Sequence, residues 1–369
     1  MLQNIQLKNF KCFLEVSVPL RAITIFSGQN GAGKSSIVQA LLVLRQSYLG
    51  GYLDAENLLW AGDLVDLGGA AEVLCQAAES DALEIRIDNE FGSSDFAFTY
   101  NKQERTLAPS RALQLSPIEG SSLLSAAFTY VRAERIGPRK ILPASEVKVL
   151  NNDIGALGEY VAHIILEHSG EISSADPRFV ESARSGTFIH QFNSWLGMIS
   201  PGSELEVSLV AQADAAIGGF SFTQKDDVNT RTFRATNVGF GLSYCLPVIY
   251  ALLASKANAL VVIENPEAHL HPAGQTHLGR LAALCAAVGV QVIVETHSDH
   301  FLNGVRLAVK AGALEPEHCA ISYFERQGAV ARVESPTIDA DGRLSHWPGG
   351  FFDQHERNLA ALLAPKRSS

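Results

Sequence analysis

The chain has 369 residues, 47% of them hydrophobic, with 29 Lys and Arg against 39 Asp and Glu and a formal net charge of −10. That length admits one large domain or two ordinary ones, and the acidic balance argues against a protein that coats nucleic acid non-specifically, leaving such contacts to local basic patches or to a partner. Five widely spaced cysteines without a CxxC pair, an N-terminus without an apolar signal segment and the absence of any apolar run of roughly 18 residues exclude a disulfide framework, a zinc ribbon and a membrane helix, so a cytoplasmic protein is expected.

Ile5, Leu7 and Phe10 begin a predicted strand, and the apolar run Ala22 to Phe26 leads directly into a glycine-rich loop. Ser36 to Gln46 reads as a helix that is apolar on most sides and therefore buried. Leu83, Ile85 and Ile87 alternate with polar residues, Gly92-Ser93-Ser94 reads as a turn, and Phe96, Phe98 and Tyr100 alternate again, which predicts a hairpin. Arg105 to Ser122 is Ser- and Pro-rich and reads as loop. Leu157, Tyr160, Val161, Ile164 and Ile165 keep the i, i+3, i+4, i+7 spacing of an amphipathic helix, and weaker helical signals run to Ile199, where Ser200-Pro201-Gly202 stops them. Phe220 to Ala235 reads as a hairpin. From Gly239 the order is helix, strand (Ala259 to Ile263), helix opening at Pro272, strand (Val292 to Val294), helix (Phe301 to Val309). That alternation predicts a mostly parallel sheet flanked by helices. A last hairpin pairs Ile321–Glu325 with Ala329–Val333 through a turn at Gln327-Gly328.

Gly28-Gln29-Asn30-Gly31-Ala32-Gly33-Lys34-Ser35 fits GxxxxGK[ST] at every position, with an apolar strand before it and a helix after it. The glycines let consecutive backbone N–H groups point inward at phosphate oxygens, and the helix start adds partial positive charge. Gln29 through Ser36 would therefore hold a nucleoside triphosphate, most simply ATP, with Lys34 on the β- and γ-phosphates and the Ser35 hydroxyl on Mg²⁺. A second acid for the metal is expected at the end of a buried strand, and Leu260-Val261-Val262-Ile263-Glu264 offers Glu264, acting through water. Asn237 to Ser243 opens a helix with small residues and resembles the signature motif of ABC-type ATPases; that resemblance implies that Gly239, Gly241 and Ser243 cradle the γ-phosphate of a second subunit's nucleotide. Val292 to Ser298 places His297 just past a buried strand, like the switch histidine of that class, and the resemblance implies that it senses the same phosphate.

Taken together and in this order, GQNGAGKSS, NVGFGLSYCLP, VVIENPEAHLHP and VIVETHSDHFLNGVR resemble ABC-type AAA-family ATPases related to the SMC, RecF and overcoming-lysogenization-defect proteins. The tail WPGGFFDQ, Trp347 to Gln354, resembles the ending of one subgroup whose C-terminal region has no established function. The resemblance implies an α/β P-loop ATPase head: an N-terminal lobe over 1–145 carrying the P-loop and rich in β-structure, a helical insertion over 146–203, a lobe over 204–335 with the signature, Walker B and switch segments, and a tail over 336–369. It also implies that two heads sandwich two ATP molecules, and that Asn9, Phe10 and Lys11 lie near base and ribose. One departure matters for catalysis. Such heads carry Glu immediately after the Walker B acid to activate water, and here that position is Asn265; losing a general base costs about 10²–10⁴ in rate. Glu267 is the candidate replacement. Tyr244 stands where many relatives have Gln, and only Gln76 suggests itself as a Q-loop residue.

The expectation is a slow ATPase that dimerises around nucleotide, as a homodimer or higher assembly, and controls a separate effector protein, a nuclease being one candidate, in DNA repair or in defence against phages and plasmids. The alternative is an ATP-locked scaffold that recruits a partner without turnover. Nucleic acid is expected to be met indirectly, and no membrane partner is expected. Arg132, Arg135, Arg139 and Lys140 form a basic run read mainly as solvated surface, and the histidines at 269, 271, 277, 297 and 300 lack the spacing of a transition-metal site.

Overall fold

A computed structural model of the chain describes residues 1–53, 57–103, 106–110, 115–223, 230–351, 358–359 and 362–363. Its N-terminal part comprises β1 (Leu2–Phe10), β2 (Phe13–Pro19), β3 (Ile23–Gly28), α1 (Lys34–Leu49), α2 (Ala70–Val73), β4 (Ala82–Asn89), β5 (Gly92–Asn101), β6 (Thr106–Pro109), α3 (Ser116–Glu119) and β7 (Phe128–Val131). There follow β8 (Leu142–Pro143), α4 (Glu146–Leu150), α5 (Val161–Glu167), α6 (Phe188–Ile199), β9 (Ser203–Val210), β10 (Ala215–Phe222) and β11 (Phe233–Arg234). The last part is α7 (Phe240–Ala254), β12 (Leu260–Glu264), α8 (Pro272–Ala287), β13 (Gln291–Glu295), α9 (Asp299–Lys310), β14 (Cys319–Gln327) and β15 (Val330–Glu334).

The central sheet runs β15-β14-β3-β13-β12-β7. Every neighbouring pair is parallel except the terminal hairpin of β14 and β15. Its strands are continuous apolar runs because both faces are covered. Along β12, Val261 and Ile263 pack into one core with α7 and α8, while Leu260 and Val262 pack into a second core with α1 and the N-terminal sheet. The period of two thus feeds both sides of one sheet. The N-terminal sheet is antiparallel, in the order β2-β1-β4-β5-β6. A third, smaller sheet joins β11, β10 and β8, with β9 also paired to β10.

Several expectations shift. The first hairpin turns at Glu90-Phe91, because Asn89 already pairs with Gly92 and Ser93 and Ser94 lie within the ladder. The stretch read as loop holds β6 and α3, with residues 105 and 111–114 outside the described residues. The helix expected from Leu157 begins only at Val161, after two positive-φ glycines, Gly155 and Gly158. The segment between α5 and α6 is irregular. Within the hairpin expected over 220–235, β10 does pair with β11, and residues 224–229 lie outside the described residues. The more extensive partner of β10 is β9, which the reading did not include. Its Leu205, Val207 and Leu209 alternate with polar residues, and that signal was present. The last hairpin turns at Gly328-Ala329, since Gln327 pairs with Val330. Among the described residues, no helix is long and apolar enough to cross a membrane.

Candidate functional site

The glycine-rich loop leaves the C-terminal end of β3 and enters α1, and its glycines are fixed by close approach. Gly28 has φ 140°, and a β-carbon there would lie 2.1 Å from the Phe324 carbonyl oxygen. Gly33 has φ 100°, and a β-carbon there would lie 2.6 Å from both Cys12 Sγ and the Phe13 ring. Only glycine meets both demands. The first turn of α1 carries no acidic residue to compete for its free N–H groups.

Lys34 is buried, and its Nζ donates to the carbonyls of Gly28 at 3.0 Å and Gln29 at 2.8 Å. Burial lowers its pKa, which Glu295 and Glu267 oppose. Those carbonyl bonds leave one of the three ammonium donors open. A cavity of about 780 Å³ opens over the loop, lined by Asn30, Gly31 and Gly33 to Ser36, with Lys11, Gln76, Glu295, His297 and Arg326 around them. Its size suits a nucleotide, since small-molecule sites span about 300–1,000 Å³.

Of the three residues expected near base and ribose, only Lys11 lines this cavity, with Nζ donating to Gln39 Oε1 at 2.7 Å. Phe10 is fully buried in the second core. Asn9 continues the inward row of Ile5 and Leu7, and its Nδ2 donates to Ala82 O at 2.7 Å. Gln29 and Ala32 belong to the loop but do not line the cavity, Gln29 facing outward and Ala32 packing inward. Two lining residues carry no motif in the sequence: Arg326 on the last hairpin, whose Nη1 donates to Gly31 O at 3.3 Å, and Cys12.

Past the loop, the ends of β13 and β12 bring acids together. Ser35 Oγ donates to Glu295 Oε1 at 2.9 Å. Glu295 is 6% exposed, and burial pushes its carboxyl up to about 7 against the Ser35 bond. Glu264 is turned toward β7, where its Oε2 accepts the Ala133 N–H at 3.1 Å. Asn265 adopts φ 46°, a left-handed conformation that Asn tolerates. Its carbonyl accepts from Arg135 Nη2 at 2.6 Å. Glu267 accepts the His297 N–H at 2.6 Å and the Thr296 hydroxyl at 2.8 Å, and it does not line the cavity.

The segment Gly239 to Ser243 starts α7, with Gly239 at the N-cap. Gly241 passes so close to the loop after β12 that a β-carbon would lie 2.4 Å from His269 O. None of Gly239, Gly241 and Ser243 lines the P-loop cavity of their own chain. Tyr244 packs beneath Arg135, whose guanidinium lies 5.3 Å from the ring centroid, and edge-on to His269 at 4.8 Å. The basic run is therefore not one patch: Arg135 is buried, while Arg139 and Lys140 are exposed. His271 caps α8, its Nδ1 accepting the Ala273 N–H at 3.3 Å. Among the described residues, no group of three or more His, Cys, Asp or Glu side chains is arranged to hold a metal. In the tail, Phe351 is buried against Tyr323 and Trp347, at centroid distances of 5.1 and 5.4 Å. Residues 352–354 of the WPGGFFDQ segment lie outside the described residues.

The sequence matches the family model described as "AAA domain, putative AbiEii toxin, Type IV TA system" over residues 23–303. A second model, described as a protein of unknown function (DUF3696), matches residues 314–362. No curated protein matches the sequence. Among solved structures, the chain is similar to an Smc head bound to the C-terminal winged-helix domain of ScpA, at 16% identity and a TM-score of 0.51, covering 91% of this chain and 98% of that one. A Thermotoga maritima SMC head domain aligns at 15% identity and a TM-score of 0.45, over 90% and 98% of the two chains. The likeness to the first of these is one of fold.

Proposed function

The chain belongs to the family of AAA domains described as putative AbiEii toxin, type IV TA system, and from that premise we propose that it binds ATP with Mg²⁺ in the Gly28–Ser36 cavity, dimerises around the nucleotide and hydrolyses it slowly. The observation that carries this reading is the separation of the two halves of the site. Lys34 and Ser35 line the cavity, whereas Gly239 and Ser243, exposed or half-exposed at the start of α7, stand outside it. A helix N-terminus with small residues is suited to a phosphate. In this reading it serves the nucleotide of a second copy.

The residues fit the implied groups. Lys34 has donor capacity beyond its two carbonyl partners, the N–H groups at the start of α1 are unopposed by acid, and the Ser35 hydroxyl sits beside a carboxylate. Ser35 would hold Mg²⁺, with an acid from the strand ends behind it, Glu264 in the sequence reading. Bound Mg²⁺ would neutralise charge on the β- and γ-phosphates. Lys34 would hold the same oxygens, and His297 at the cavity rim would meet the γ-phosphate.

Turnover is slow in this account for two reasons. Position 265 carries Asn, and the next carboxylate, Glu267, is engaged with Thr296 and His297 and lies off the cavity. The same observations favour a second reading, an ATP-locked scaffold without turnover. The family description names a putative toxin of a toxin–antitoxin system, and the similar Smc head is bound to a partner protein. The first supports a role in phage or plasmid defence, with DNA repair the alternative, and the second supports control of a separate effector, a nuclease being one candidate. Measuring phosphate release and nucleotide-dependent dimerisation in the same samples tests the proposal. Dimerisation with slow release is expected; dimerisation without release replaces the ATPase by the scaffold, and absence of both overturns the proposal.

A further inference from the structure

The strand end that faces the P-loop serine is not the one that sequence order selects. In the central sheet β13 lies between β3 and β12, with Glu295 in register with Phe26 on one side and Glu264 on the other. This crossover carries Glu295 to the strand adjoining the P-loop and leaves Glu264 one strand further away. The side chains follow. Ser35 Oγ donates to Glu295 Oε1 at 2.9 Å. Glu264 is held on the far side by the Ala133 N–H, and it does not line the cavity.

Two further observations point to a ligand at Glu295. Its Oε2 is buried and has no hydrogen-bond partner among the described residues. A buried carboxylate oxygen left so is costly unless something binds there. The Ser35 hydroxyl, having given its one proton to Oε1, turns its lone pairs elsewhere, which is the state a metal ligand needs. We propose that Glu295 is the acid that supports Mg²⁺ at Ser35, by accepting hydrogen bonds from the metal's waters while orienting the Ser35 hydroxyl, in the place that sequence order assigns to Glu264. The assignment rests on the reading of this cavity as an ATP site.

The test uses the full chain and Mn²⁺ as the probe. Free Mn²⁺ is followed by electron paramagnetic resonance in the presence of a non-hydrolysable ATP analogue. Binding of the analogue in EDTA is measured in parallel. Loss of a group that orients a metal ligand typically costs 10–100-fold in metal affinity. Glu295→Gln is expected to weaken Mn²⁺ binding by about 10–100-fold while keeping metal-free analogue binding within about threefold of wild type, and Glu295→Ala to repeat the loss. Glu264→Gln is expected to stay within about threefold of wild type for Mn²⁺. Wild-type Mn²⁺ affinity in both Glu295 variants, or a loss in Glu264→Gln at least as large as theirs, overturns the assignment and leaves the ATP site standing. Wild-type chain that binds no analogue at all overturns the ATP site and this assignment with it.

Discussion

The carboxylate of Glu267 accepts the backbone N–H of His297 at 2.6 Å, so the loop after β12 is pinned to the end of β13. The second oxygen takes the Thr296 hydroxyl at 2.8 Å. A group so engaged positions the His297 segment, and it stands off the cavity. Glu267→Gln, which can keep an acceptor toward His297, is expected to hydrolyse ATP within about threefold of wild type. Glu267→Ala, which takes the acceptor from the buried Thr296 hydroxyl and from the His297 N–H, is expected to lose about 1–3 kcal/mol of stability. Steady-state phosphate release and urea denaturation check the pair. A fall of about 10² or more in Glu267→Gln restores Glu267 as the general base.

Asn265 occupies φ 46° at the position where the resemblance to ABC-type heads implies a water-activating Glu. Asn265→Glu is expected to cost about 1–2 kcal/mol, since a longer side chain is less at ease in the left-handed region. In exchange it is expected to raise turnover at least about tenfold, a part of what a general base contributes. Single-turnover phosphate release measures this. An unchanged rate means that something other than position 265 limits hydrolysis.

Gly28 is irreplaceable on steric grounds. With φ 140° and a would-be β-carbon 2.1 Å from Phe324 O, Gly28→Ala must displace β14 from β3. A loss of about 3 kcal/mol or more is expected, within the range of strained backbone and overpacked cores. Thermal or urea denaturation at neutral pH checks it. Gly31, whose would-be β-carbon meets nothing nearer than 3.9 Å, is the comparison: Gly31→Ala strains only the local φ of 72° and is expected to cost about 1–2 kcal/mol.

His168 stacks on Phe188 with ring centroids 3.9 Å apart, and its Nδ1 accepts the Gly170 N–H at 3.2 Å. Burial first, and Lys256 in addition, lower its pKa below the ordinary value of 6.5. A lowered folded pKa means that the unfolded chain takes up the proton first. The contribution is therefore fully present above pH 6.5 and is lost as pH falls through the lowered folded value. His168→Asn is expected to flatten the decline in denaturation midpoint on the acid side of pH 6.5, at the cost of lower stability at neutral pH. An acid limb identical to that of wild type contradicts this.

Much of the site was legible because its spacing is rigid. A loop that must wrap phosphate fixes glycines and lysine at set intervals, and the apolar runs of β3, β12 and β13 mark strands buried on both faces. Asn9 is not at the nucleotide cavity where the resemblance set it, although the inward row of Ile5 and Leu7 that it continues is present in the sequence. What the sequence does not carry is which strand lies beside which. VVIE and VIVE are nearly the same text, and only the crossover that puts β13 between β3 and β12 decides which glutamate meets Ser35. Arg326 was out of reach for a similar reason, because the pairing of β14 with β3 brings residues 295 positions apart into contact at the loop.

The central claim is that Lys34 and Ser35 of one copy share a nucleotide with Gly239 to Ser243 of another. Sedimentation velocity of wild type, Lys34→Ala and Ser243→Arg, each with saturating Mg²⁺ and a non-hydrolysable ATP analogue, tests it most directly, with analogue binding measured on the same samples. The account predicts that wild type moves from monomer to dimer mass, that Lys34→Ala neither binds nor dimerises, and that Ser243→Arg binds the analogue as wild type does but stays monomeric. Ser243→Arg dimerising as readily as wild type, or wild type remaining monomeric with the analogue bound, would contradict it.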